Sequence, residues 1–159
     1  MQKEAPINVL GLELVPCGND PVTGFFRDSC CNTCAQDIGS HTVCVEVTAD
    51  FLQYSRFVGN DLSTPHPEFE FPGLKAGDRW CLCAARWLEA HEKGMAPRVN
   101  LASTHIKALD VVPFELLEEH AITLKHRDGK PQTSAGARLA PGNEATANGA
   151  TSYTKALRA

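Results

Sequence analysis

The sequence predicts a small, loop-rich α+β domain with a small mixed or antiparallel sheet and about three to four helices. Three observations lead there. The run His41 to Val47 alternates with a period of two, as a half-buried strand does. Two segments, 49–58 and 84–93, instead repeat their apolar residues at helical spacing. Between these elements the chain is dense in Gly, Pro, Asn and Asp, the residues that build turns.

The N-terminal third is irregular. Cys17 to Gly24 is rich in turn formers, Phe25-Phe26-Arg27 reads as a short strand, and 28–40 is again loop, carrying Cys30, Cys31 and Cys34. In the strand that follows, Val43, Val45 and Val47 share one face, and Thr42, Cys44 and Glu46 the other. Thr48 is placed to cap a helix over 49–58, Asp50 suits its dipole, and Gly59 is placed to end it. Its inner stripe is Phe51, Tyr54, Ser55 and Val58.

Residues 60–78 form a long loop whose aromatics suggest that it is pinned over one end of the core. A buried strand over 79–83 leads into a helix over 84–93, with Trp87, Leu88 and His91 at helical spacing and Gly94 and Pro97 ending it. Residues 98–103 read as another strand, and Thr104 as the cap of a short helix through Leu109. Pro113 suits the first position of a last helix with Phe114, Leu117 and Ala121 inside.

The 159 residues suffice for one domain, and an apolar fraction of 43% allows it a real core. We place the compact domain at 1–125 and a disordered polar C-terminal tail at 126–159, where Leu139, Tyr153 and Leu157 are the only large apolar residues. The net charge is −4 and the Lys and Arg residues are scattered, which argues against nucleic-acid binding. No apolar run approaches the roughly 20 residues that span a bilayer, so no membrane partner is expected. The opening Met1 to Pro6 lacks the apolar core of a secretory signal. A cytoplasmic, reducing location is therefore expected, with a small molecule or a protein as partner.

Seven cysteines in such a location point to free buried thiols, a metal site or a reactive thiol. Cys31 and Cys34 have CxxC spacing, and Cys81 and Cys83 have CxC spacing. Four such thiolates could hold zinc, which favours tetrahedral sulfur and nitrogen ligands. Cys81 and Cys83 would share a strand face about 7 Å apart. A metal site could instead omit Cys34 and use His41 or Cys44, but not both together, since they would point to opposite faces of the strand. The candidates for a metal or a reactive thiol are Cys30, Cys31, His41, Cys81 and Cys83, with Cys17 as an outlying addition. Thiol catalysis would need a low-pKa Cys beside His41 or His105.

The default reading is packing, with Cys44, Cys81 and Cys83 as small apolar residues beside Trp80 and Leu82. Asp61, Arg79, Trp80, Arg86 and His105 are the candidates for a binding surface. No phosphate loop, dinucleotide fingerprint, zinc-protease helix or nucleophile elbow is present. The expected function is a ligand-binding or protein-interaction module with a concavity lined by Cys and Trp. The alternative is a zinc-binding or thiol-dependent protein.

Several stretches resemble a family of small bacterial proteins known as DUF2237. They are Asn8 to Gly11, Asp20 to Asp28, Cys30-Cys31, His41 to Cys44, Gly59 to Pro65, Phe71 to Lys75, Gly77 to Trp87 and Thr104-His105. The resemblance covers about 8–121. It implies a compact domain and no particular chemistry, and it marks Cys34 as particular to this chain, because Gly is usual there.

Overall fold

In the computed structural model, residues 2–125 and 131–133 are described. The domain is built on a three-stranded antiparallel sheet. β1 (Val43–Glu46) lies between β2 (Arg79–Leu82) and β3 (Arg98–Val99). The β1–β2 register sets Val43 opposite Leu82 and Cys44 opposite Cys81. The sheet is thus antiparallel throughout, and among the described residues three α-helices and three short 3-10 segments complete the α+β fold.

β1 explains the layering. Val43, Val45 and Val47 are buried on the face predicted from their alternation. They join the main apolar core with Phe51, Leu82, Trp87, Leu101, Leu109 and Leu117. The opposite face is covered too: Thr42 and Cys44 are also buried. A second, separate core lies there, made of Cys17, Cys31, Cys44 and Cys81 alone. The main core is held by ordinary apolar burial, at about 25 cal/mol per Å². The second brings the irregular N-terminal segment against the sheet through sulfur.

α1 (Ala49–Phe57) starts where predicted. The Thr48 hydroxyl accepts from the Phe51 N–H at 3.0 Å, and Asp50 sits in the first turn. α2 (Ala84–Glu92) buries Trp87 and Leu88. The Trp87 indole donates to the Pro97 carbonyl at 3.1 Å. α3 (Phe114–Glu119) buries Phe114 and Leu117. β4 (Thr123–Lys125) pairs with β5 (Pro131–Thr133). Of the tail expected from residue 126 onward, only β5 is described; residues 126–130 and 134–159 lie outside the described residues.

Four local expectations change. Residues 25–27 form turns rather than a strand, with Arg27 at φ 57° and the Arg27 N–H donating to the Gly24 carbonyl. The strand expected over 98–103 lasts two residues before a 3-10 segment over Leu101–Ser103. The next 3-10 segment, Ile106–Asp110, is capped by the side chain of His105, not Thr104. The Thr104 hydroxyl is committed elsewhere: it donates to the Asn100 carbonyl and accepts from the Cys44 N–H. Pro113 sits one residue earlier than expected, at the N-cap of α3.

The 60–78 loop is ordered, as its aromatics suggested. Asp61 accepts from the Ser63 and Thr64 N–H groups, Leu74 is buried, and Phe71 packs on Trp80 at 5.2 Å between centroids. Its return depends on Gly73, at φ +80°, where a Cβ would collide with the Ser63 carbonyl oxygen. Gly59 also has positive φ but faces open space. Gly73→Ala is therefore expected to lower the melting temperature markedly more than Gly59→Ala, which costs about 1 kcal/mol for its backbone alone. Thermal unfolding of the two variants checks this, and equal losses would show that the loop is not held at Gly73.

Candidate functional site: a four-cysteine centre

The chain carries its cysteines to the second core along two routes. Cys44 and Cys81 face one another on adjacent strands. Cys17 and Cys31 arrive on the N-terminal segment. That segment is tied down by the Cys17 N–H donating to the Ser29 carbonyl, at 2.8 Å. The Cys81 N–H donates in turn to the Thr23 hydroxyl at 2.8 Å, joining the segment to β2.

The sulfurs meet in pairs. Cys17 is bonded to Cys44, and Cys31 to Cys81, closing loops of 27 and 50 residues. All four residues are at most 3% exposed. The two bonds also lie close together: the sulfurs of Cys17, Cys31 and Cys81 are within 4.8 Å of one another. Among the described residues this is the one group of three or more potential metal ligands that converges.

This corrects the packing default. Cys44 and Cys81 are buried as expected, but both are bonded rather than free. Cys83 is half-buried, packs against the edge of the main core and forms the N-cap of α2. The physical reason is tertiary. The cysteine-bearing face of β1 is roofed by a segment that lacks regular structure, and its path cannot be read from periodicity.

Of the predicted metal or thiol residues, the structure brings together Cys31 and Cys81. It leaves Cys30, Cys83 and His41 outside the centre, and it adds Cys17 and Cys44. Burial pushes the Cys83 thiol up, partly offset by the N–H groups of Arg86 and Ala85 and by the Arg86 charge. Burial and the Asp28 carboxylate push Cys30 up as well. Neither is a thiolate poised for attack at neutral pH. Cys34 is free, buried and lines a cavity of 290 Å³ with Glu4, Asp37, Ser40 and Lys107.

His41 belongs to a different device. Its Nδ1 meets Asp37 Oδ1 at 2.7 Å, and its backbone N–H donates to Asp37 Oδ2. The Thr33 hydroxyl donates to Asp37 Oδ2 too, at 2.9 Å. The Asp37 side chain is wholly buried, so this one carboxylate orders the turn that feeds β1.

The predicted binding residues are dispersed. Arg79 lies opposite Glu46 on the sheet, and Trp80 packs on Phe71. Arg86 pairs with Glu89, and Asp61 organises its own turn. His105 is buried with both ring nitrogens in use: Nε2 meets the Ala5 carbonyl, and Nδ1 accepts from the Lys107 N–H. Burial lowers its pKa, so the ring is neutral and structural.

A larger cavity of 720 Å³ opens between two loops, lined among others by Asp20, Arg27, Glu68, Phe69 and Glu70. Trp87 is fully buried, and neither it nor the bonded cysteines line either cavity.

The sequence pattern of a family described as "Uncharacterized protein conserved in bacteria (DUF2237)" matches residues 7–121. The chain belongs to this family. The match spans both cores and every cysteine, as the resemblance at 8–121 implied. No curated protein matches the chain. No helix among the described residues is long and apolar enough to cross a membrane.

Asp37 supplies a pH test. Burial alone would raise its pKa, but hydrogen bonds from His41 and Thr33 and the charge of His41 hold the carboxyl below its usual range. A depressed folded-state pKa adds stability that is present above the ordinary carboxylate value, about 4, and is lost as pH falls through the folded one. Asp37→Asn is expected to cost about 1–3 kcal/mol at neutral pH, typical of a buried hydrogen-bonding group. The gap from the native protein should narrow as pH drops below about 4. Melting curves of both proteins across that range check this; a constant gap would contradict it.

Proposed function

We propose that this DUF2237 protein is a thiol-dependent metal-binding module whose centre, when reduced, is a tetrathiolate of Cys17, Cys31, Cys44 and Cys81 that holds zinc. The observation that carries this reading is the closeness of the two disulfides, with three of their sulfurs within 4.8 Å of one another. A staple needs only its own two sulfurs at bonding geometry, and nothing about stapling brings a second bond alongside. A closed structural zinc site requires four such ligands brought to one buried place, and three sulfurs converge here with the fourth bonded to one of them. Tetrahedral zinc with ligands at about 2.3 Å places its sulfurs about 3.8 Å apart. Three of the four already lie within 4.8 Å, and the fourth is bonded to one of them.

The surroundings support the reading. The centre is closed to solvent, as structural sites are, and its ligands come from two strands and a loop, so metal binding would add directly to folding stability. The cytosolic location expected from the sequence would keep the thiols reduced and able to bind a soft metal. A ligand-binding role has separate support in the 720 Å³ cavity, whose lining combines Arg27 with carboxylates and Phe69. Its wall at Asn19–Val22 and Arg27 falls between Cys17 and Cys31, so such binding would depend on the same centre.

Zinc titration of the reduced protein without oxygen, against a chromophoric chelator, tests the assignment. One ion per chain is expected, retained in the triple variant Cys30→Ser, Cys34→Ser, Cys83→Ser. Binding should weaken at least tenfold in Cys17→Ser and in Cys44→Ser, with folding of each followed by circular dichroism. A reduced chain that ignores zinc, or one whose binding needs Cys30 or Cys83, would overturn the reading.

A further inference from the structure

Resting on that metal reading, we propose that the centre is a peroxide-responsive switch in which a hydroperoxide converts the zinc tetrathiolate to the Cys17–Cys44 and Cys31–Cys81 disulfides and expels the metal. The N-terminal segment stays docked in both states and is released only when the centre is reduced and empty.

The pairing carries the inference. Four sulfurs can pair in three ways. One would join Cys44 to Cys81, which already sit opposite each other in the strand register, and would leave Cys17 with Cys31. That pairing would cross-link the sheet to itself and the loop to itself. The structure instead joins each loop cysteine to a strand cysteine. Two loop-to-strand bonds do mechanically what one four-coordinate ion would do, which is to hold the segment around Cys17–Cys31 against β1 and β2. The two states are therefore interchangeable as fasteners, and the fold survives the exchange.

The chemistry balances. In each pair one thiolate attacks the oxygen–oxygen bond of hydrogen peroxide and takes one oxygen as a sulfenic acid, and the other oxygen leaves as water once protonated. The partner thiolate then attacks that sulfur, forms the sulfur–sulfur bond and expels the oxygen as hydroxide, which is protonated to water. Two peroxides and four protons consume four thiolates and give two disulfides, four waters and one free zinc ion. The partner sulfur is already adjacent, so the sulfenic acid is captured before further oxidation.

Burial also sets which oxidant acts. With every cysteine of the centre at most 3% exposed, a bulky disulfide such as oxidised glutathione cannot approach its sulfurs, which leaves a small peroxide as the oxidant. The three remaining cysteines lie outside the centre and are no part of the exchange.

The full chain, reduced and zinc-loaded without oxygen, is the material for the test, and its metal content is measured before any oxidant is added. An absence of zinc at that stage overturns the metal reading and the switch with it. For loaded protein, hydrogen peroxide is expected to release one zinc for every two disulfides, with peptide mapping showing Cys17–Cys44 and Cys31–Cys81. Oxidised glutathione at the same concentration should release zinc at least tenfold more slowly. Trypsin, which cleaves after Arg27 in the loop between the two anchors, should cut the reduced, chelator-stripped chain. The zinc-loaded and oxidised forms should resist it. Zinc bound but released with sulfinic acids or other pairings, equal rates with the two oxidants, or cleavage of the oxidised form would overturn the switch and leave the metal site standing.

Discussion

The pair of neighbouring disulfides that joins an irregular stretch of backbone to the second face of a small sheet is the constraint on which the rest of this molecule depends. A three-stranded sheet with one buried face is a common solution for a short chain, with the other face left to solvent. Here the other face of β1 carries Thr42 and Cys44 and is buried. The segment that buries it contains no strand or helix, so it cannot be held by a ladder of backbone hydrogen bonds. Its attachments are a few isolated bonds, such as the Cys81 N–H to Thr23, together with the sulfurs. Removing the sulfur contacts would leave an open sheet face and a loop with little to hold it.

Much of the helical side was legible in the sequence because its causes are local. The alternation of Val43, Val45 and Val47, the Thr48 cap and the spacing of Trp87 and Leu88 each act within a few residues. What failed was decided at long range. Phe25-Phe26 has the composition of a strand but no partner strand to pair with. The strand expected through Ser103 stops at Val99, because the chain must turn there to bring Thr104 back to the Cys44 N–H. Cys17 and Cys44 were weak candidates for the same reason. Nothing within a few residues of either announces that a loop will cross the sheet there. The one usable signal was that Cys44 and Cys81 both lie in strand-like runs, and pairing those runs would have set them face to face.

Side chains that invite a chemical reading by type alone are absorbed into the framework. His105 spends both ring nitrogens on backbone groups, Asp37 and His41 fix a turn, and Trp87 is locked between the core and Pro97. Among the described residues no buried side-chain nitrogen or oxygen lacks a hydrogen-bond partner. Polar groups without partners are where unexplained function would show, so their absence moves attention to sulfur. The half-buried free thiols are no substitute, since burial favours their protonated forms. The cysteine centre is thus singled out both by its own convergence and by the self-sufficiency of what surrounds it.

The most direct test is native mass spectrometry of the chain isolated from its cells under strictly anaerobic conditions, followed by thiol counting after denaturation. The account predicts one zinc per chain and seven free thiols, the four of the centre released when the metal is stripped. A chain that emerges without metal, whether with all thiols free or with both disulfides already formed, would contradict it.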